Sequence, residues 1–199
     1  MRNMLRIAAV VAAFALPSFA QTGTWNVDPA HSKAVFSVKH LGISTVRGEL
    51  SKASGHAEID DKDVTKSQIE VTLDASTVNT GQDNRDKDLR SDNFFDVQKY
   101  PTMSFKSKRV SKAADGSLKL TGDLTIHGVT KEVAFDVDGL SPAIKDPFGS
   151  GGLRRGASAT AKINRKDFGI VWNHVMDNGG LVVSDDVTIT IDLELVKKA

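Results

Sequence analysis

Residues Val187 to Leu195 read VTITIDLEL, and this short run decides the fold. Val187, Ile189, Ile191, Leu193 and Leu195 fall on one side of an extended chain, and Thr188, Thr190, Asp192 and Glu194 fall on the other. A helix would scatter the same residues around its circumference. The stretch is therefore a strand with one buried and one wet face.

Working outward, the same parity runs through Ile69, Val71 and Leu73, through Met103 and Phe105, through Leu118, Leu120, Leu124 and Ile126, and through Val133, Phe135 and Val137. The polar opposite faces mark these as antiparallel strands. Val46, Gly48 and Leu50 keep one phase while Ala53, Ala57 and Ile59 follow the other, which predicts a bulge or bend near Ser51 and Lys52. Adding Ser32 to Leu41 and Gly156 to Ile163 gives about eight strands, joined mostly by short turns such as Ala114-Asp115-Gly116. That pattern suits a closed antiparallel, up-and-down barrel of the all-β class; a two-sheet sandwich is the alternative.

Three connections are not simple hairpins. The segment from Val78 to Tyr100 contains DNRDKDLRSDNFFD, which predicts a short helix near one barrel end with Leu89, Phe94 and Phe95 available to dock. The segment GLSPAIKDPFGSGGLRR, residues 139–155, is rich in Pro and Gly and reads as a loop. Arg165 to Ser184 carries Phe168, Trp172, His174 and Met176 ahead of Asn178-Gly179-Gly180, a turn that would bring aromatics to a mouth.

The first twenty residues, MRNMLRIAAVVAAFALPSFA, place Arg2 and Arg6 before an apolar run that ends in a small-residue site at Ser18-Phe19-Ala20. This is the pattern of a cleavable secretory signal, too short in its apolar run to span a membrane. The expectation is an exported, periplasmic protein with one domain over residues 21–199. Cleavage would remove two of the 26 basic residues and none of the 25 acids, leaving a chain about one charge negative. Nucleic acid is a poor partner for such a surface. With no cysteine, the fold rests on an ordinary core, without disulfides or thiol chemistry.

Candidate catalytic and metal-binding groups are weak. Within one strand His31 and His40 face opposite sides and lie roughly 30 Å apart, so they do not share a metal. No close histidine spacing of the zinc-binding kind occurs, and His127 shares the polar face of its strand with Asp123 and Thr125. Ser158 lies in an alternating strand, without the glycine that would complete a nucleophile elbow. Gly149 to Arg155 lacks the Lys-Ser/Thr of a phosphate loop, and Asp83, Asp86 and Asp88 lack calcium-loop spacing. The expectation is no catalytic residue, no metal and no cofactor.

The inward row is more informative. Ala157, Ala159, Ala161 and Ile163 share one face, and Gly48 and Gly122 fall at inward positions elsewhere. Small residues leave volume, and Phe36, Val38, Val71, Phe105, Leu120, Leu124, Phe135 and Ala159 would line what remains, with Phe168 and Trp172 toward the mouth. The competing expectation is that Phe94, Phe95, Phe168 and Trp172 simply plug the barrel. Among polar groups, His40 shares the inward parity of its strand; it, Arg85 and His174 are candidates to meet a ligand head group. His31 is expected to cap the turn after Asp28-Pro29.

Four blocks, WNVDPAHSKAVFSVKHLGISTVRG from Trp25 to Gly48, RDKDLRSDNFFDVQKYPTMSF from Arg85 to Phe105, GDLTIHGVTKEV from Gly122 to Val133 and INRKDFGIVW from Ile163 to Trp172, resemble the YceI-like, polyisoprenoid-binding family. The resemblance covers nearly the whole length from Trp25 to Val196. It implies an extended, lipocalin-like barrel in the periplasm that sequesters or carries a polyprenyl chain, an isoprenoid quinone or a similar long apolar lipid, often as a homodimer, with transient membrane contact and without catalytic residues. Two further readings stand beside it: an enzyme acting on a lipid or quinone at the mouth, and a stress-protective protein-binding module.

Overall fold

The structure, a computed structural model, describes residues 23–177 and 179–199. The signal segment expected at residues 1–20, and Asn178 of the expected turn, lie outside the described residues. The strands are β1 (Gly23–Val27), β2 (Lys33–His40), β3 (Ser44–Leu50), β4 (Ser54–Ile59), β5 (Gln68–Asp74), β6 (Thr102–Lys112), β7 (Leu118–Ile126), β8 (Val129–Leu140), β9 (Ile144–Lys145), β10 (Leu153–Asn164) and β11 (Val183–Lys197), with one helix, α1 (Asp83–Arg90). No helix among the described residues is long and apolar enough to cross a membrane.

These pieces form eight staves. β1 and β2 lie end to end along β11, with Val27 opposite Leu195 and Lys33 opposite Asp192. β3 and β4 lie end to end along that pair, with Leu50 opposite Ala34 and His56 opposite Asn26. The break between β3 and β4 falls where the phase change predicts, and Lys52 takes a left-handed conformation there (φ 54°). β4 through β8 then follow as an antiparallel meander to β10, and β10 pairs along its full length with β11. That last pairing closes the barrel and excludes the sandwich.

The β10/β11 register shows why the interior is roomy. Ala157 faces Leu193, Ala159 faces Ile191 and Ala161 faces Ile189 on the inner side. Outside, Ser158 donates to Asp192 at 2.8 Å and the Thr160 and Thr190 hydroxyls meet at 3.2 Å, so the wet face is held by polar cross-strand pairs. At Gly48 the missing side chain is replaced by a neighbour. A Cβ there would lie 2.4 Å from the Phe36 Cζ and 2.7 Å from the Thr80 Cγ2.

The barrel is incomplete in two places at the end that carries the 41–43 turn. β3 bonds to β2 on one side but not to β5 on the other, where β5 bonds to β4, and residues 75–100 fill the space beside β3 through a bridge between Glu49 and Asn79. β8 pairs with β10 only from Asp136 to Leu140, and the helical turn Arg165–Phe168 packs over the unpaired part of β8. The two fillers meet at Phe94 and Trp172, whose ring centroids are 5.3 Å apart.

Candidate functional site

The filler beside β3 is built by local hydrogen bonds. Gln82 caps α1 by accepting from the Arg85 amide at 2.6 Å, and buried Asp86 accepts from the Thr80 amide and hydroxyl at 2.9 and 2.5 Å. Arg90 donates to the carbonyls of Ser76 and Val78, pinning the helix end. These bonds present Leu89, Phe94 and Phe95 inward, with Phe95 edge-on to Phe36 at 6.5 Å.

The second filler depends on Arg165, which is 5 % exposed. Its guanidinium donates to the carbonyls of Ile170 (2.8 Å), Trp172 (2.7 Å) and Ser184 (3.1 Å) and to the Asp185 carboxylate (3.2 Å). Burial pulls the pKa of this guanidinium below its ordinary value, and the Asp185 charge offsets part of that. The result is a rigid 165–172 segment that drives Phe168 and Ile170 into the core.

At the opposite end the barrel has a floor. Trp25 is 2 % exposed, the Arg155 guanidinium stacks on its ring at 4.8 Å, and Arg155 bonds to Asp61 at 2.9 Å. Arg155 continues the inward row of Ala157 and Ala159, so a charged side chain closes the barrel there by lying flat on an aromatic.

Between lid and floor lies a cavity of about 200 Å³. Phe36, Val38, Val71, Phe105, Leu120, Leu124, Phe135 and Ala159 line it from the strands, and Phe168 lines it from the helical turn Arg165–Phe168. Ala34, Leu73, Met103, Ala157, Ile163, Ile189 and Ile191 add to the wall, and the polar residues in the lining are Ser104 and Arg165. The aromatics therefore close one end and still leave the middle open, so both expectations for the interior hold in part.

Trp172 differs from the expectation: it packs against Phe94 above the cavity and is not part of its wall. The three polar candidates also lie outside the lining. Arg85 is turned to the Thr80 hydroxyl and carbonyl at 2.7 and 3.0 Å, His40 ends β2 opposite Ser44, and the His174 side chain is exposed on the 170–182 loop. Each answers to a local backbone need or to water, which strand parity does not reveal. The Trp25 floor and the inward Arg155 were not foreseen. Trp25 and Val27 do share a parity, but five residues before Asp28-Pro29 are a short signal.

His31 does cap its turn, with its amide 3.3 Å from the Asp28 carbonyl and Nδ1 3.1 Å from the Asp28 carboxylate. Asp28, His31 and Glu194 bring ligand-type atoms within 4.8 Å of one another. Arg154 supplies the positive charge among them, donating to Asp28 at 2.8 Å and Glu194 at 2.5 Å. Burial opposes ionisation of Asp28, but Arg154, the Ala30 amide and His31 together hold its pKa down to about 2. The cluster ties the end of β1 to β10 and β11 through ion pairs of Arg154 with Asp28 and Glu194.

Comparison with known proteins agrees with this geometry. A UPF0312 protein of Vibrio parahaemolyticus is 36 % identical over 172 residues, covering 85 % of this chain and 89 % of that one. The Campylobacter jejuni YCEI protein crystal structure superposes with a TM-score of 0.67 at 32 % identity, covering 81 % of this chain and 90 % of that one. A polyisoprenoid binding domain from Saccharophagus degradans shares the fold, with a TM-score of 0.59 at 17 % identity over 90 % of this chain and the whole of that one. The family model described as the YceI-like domain matches residues 25–195, and this protein belongs to that family.

Proposed function

We propose that the barrel sequesters or carries one long apolar molecule of the isoprenoid type, such as a polyprenyl chain or an isoprenoid quinone, without transforming it. The observation that carries this reading is a cavity inside the barrel whose wall is nearly all hydrocarbon. The Arg165 guanidinium at its edge is committed to three carbonyls and a carboxylate, and Ser104, between inward Met103 and Phe105, carries the outward parity of β6. Such a wall suits binding and offers little to acid, base or nucleophilic chemistry. The fold shared with a domain described as polyisoprenoid binding supports the ligand class, and the first twenty residues support export to the periplasm as the setting.

The size of the void sharpens the reading. At about 30 Å³ per methylene-sized group, 200 Å³ holds roughly seven such groups, little more than one isoprene unit. A longer chain exceeds this volume, and the Phe94–Trp172 contact between the two fillers is the proposed place for it to extend. Burying a methylene from water is worth about 0.8 kcal/mol, yet a lipid taken from a bilayer leaves hydrocarbon for hydrocarbon. Net affinity then depends on packing, and selectivity among chains of similar width is weak. Organic extraction and mass spectrometry of protein purified from its own host should yield a long apolar molecule. Repeated recovery of empty protein, with no uptake of polyprenol added in detergent, would refute the carrier reading.

A further inference from the structure

Six large apolar side chains are exposed among the described residues, and four of them lie at the lidded end: Ile43 is 82 % exposed, Val171 64 %, Val175 62 % and Leu41 37 %, while Ile144 and Phe148 lie in the 139–155 segment at the opposite end. Backbone hydrogen bonds lace their loops together: the Leu41 amide donates to the Val182 carbonyl at 2.8 Å, the Val182 amide donates to the His174 carbonyl at 3.0 Å, and Val175 bridges to Leu181. From Leu41 to Ser44 and from Ile170 to Met176 the sole ionisable side chain is His174. Both rim segments are thus apolar and held in place, and the charges bordering Gly42 are those of Lys39, Asp185 and Asp186 beside it.

We infer that this rim is a membrane-docking surface that seats the lidded end of the barrel on the uncharged, hydrocarbon-proximal layer of a lipid bilayer. The inference rests on the carrier reading for its purpose, but its physical basis is separate. The four side chains expose together roughly 400 Å² of apolar surface, a size that is often functional on a monomer. A stable contact between two copies of a protein needs about 800 Å² from each side, about twice what the rim offers. A bilayer asks for less, because a few apolar tips entering the acyl boundary suffice for reversible binding. Segments without Lys, Arg, Asp or Glu, bordered by charges of both signs at Lys39 and Asp185, fit hydrocarbon and zwitterionic head groups rather than an anionic surface. Docking here also places the contact between the Phe94 and Trp172 fillers next to the lipid, where a chain would leave the bilayer.

The test is flotation of the purified protein with phosphatidylcholine vesicles, alone and with added phosphatidylglycerol. Three proteins are compared: the parent, the combined I43S, V171S and V175S variant, and Phe148→Ser, which changes an equally exposed residue in the loop at the opposite end. Uptake of N-phenylnaphthylamine in vesicle-free solution reports separately on the cavity. The expected result is that the triple variant loses vesicle binding by roughly tenfold or more, that Phe148→Ser does not, and that binding persists at about 0.5 M salt. Equal binding by triple variant and parent, equal loss in Phe148→Ser, no parental binding, or binding that requires phosphatidylglycerol and vanishes in salt would each overturn it. So would a parental dimer that the triple variant dissociates. Vesicle binding without probe uptake would leave docking standing and remove the carrier reading alone.

Discussion

Substituting Ala159 by Phe tests the cavity by filling it. Ala159 lies mid-wall, with Ile191 on one neighbouring strand and Val137 on the other. The added ring occupies roughly 100 Å³, or three to four methylene-sized groups. That is about half of the 200 Å³ present. At about 0.8 kcal/mol for each group displaced, the loss is about 3 kcal/mol, or about a hundredfold in Kd. Stability should move the other way from an ordinary overpacked core. A ring inserted where atoms already touch costs about 1–3 kcal/mol, whereas here it enters a void and gains contacts. Titration with a fluorescent apolar probe measures the first effect, and thermal unfolding of ligand-free protein measures the second. Thr160→Phe, on the outer face of the same strand, is the control and should leave the affinity unchanged. Probe affinity within about threefold of the parent in folded Ala159→Phe protein, or an equal loss in Thr160→Phe, would refute the assignment of this cavity as the binding site.

Three further outcomes follow from the geometry. Arg165→Met removes donors from the carbonyls of Ile170, Trp172 and Ser184, and should cost about 3 kcal/mol and raise amide exchange across 170–173, read by hydrogen–deuterium exchange. Gly48→Ala pushes the Phe36 ring out of the space beside Thr80, and the only yielding direction is the cavity; apolar-probe affinity should fall while stability drops by about 1–3 kcal/mol, measured by titration and denaturant unfolding. Asp28, with its pKa lowered to about 2 from 3.8, stabilises the folded state above the unfolded value, and that stabilisation is lost as pH falls through the folded one. The parent should therefore lose roughly 1–2 kcal/mol between about pH 4 and pH 2, and Asp28→Asn should flatten that part of a stability curve.

Much of the barrel was legible because its period-two signal is local. VTITIDLEL, the alanine row from Ala157 to Ala161 and the phase change at Ser51 and Lys52 each fix a strand's faces without reference to a partner. Eight of the ten expected apolar wall residues follow from that parity, and a ninth, Phe168, reaches the wall from the helical turn Arg165–Phe168. The tenth, Trp172, lies in a loop, where no period constrains direction. The polar candidates failed for a related reason: Arg85 is turned toward Thr80 and His174 into solvent by contacts made only after folding. Arg155 shows the opposite case. The sequence reads it as part of the 139–155 loop, whereas β10 begins at Leu153 and carries Arg155 onto the Trp25 ring.

The closing seam of the barrel joins its first and last staves. Ser32 donates to the carbonyl of Glu194 and accepts from its amide across 162 positions of sequence. Folding of such a topology is slow, because the chain must lose nearly all of its loop entropy before this seam rewards it. Until β11 is in place, β10 and the β1–β2 edge stay open and the barrel encloses no space. On the proposed carrier function, capacity for ligand arrives only with the final strand, and on the proposed export a chain in transit neither takes cargo prematurely nor locks into a shape too wide to pass.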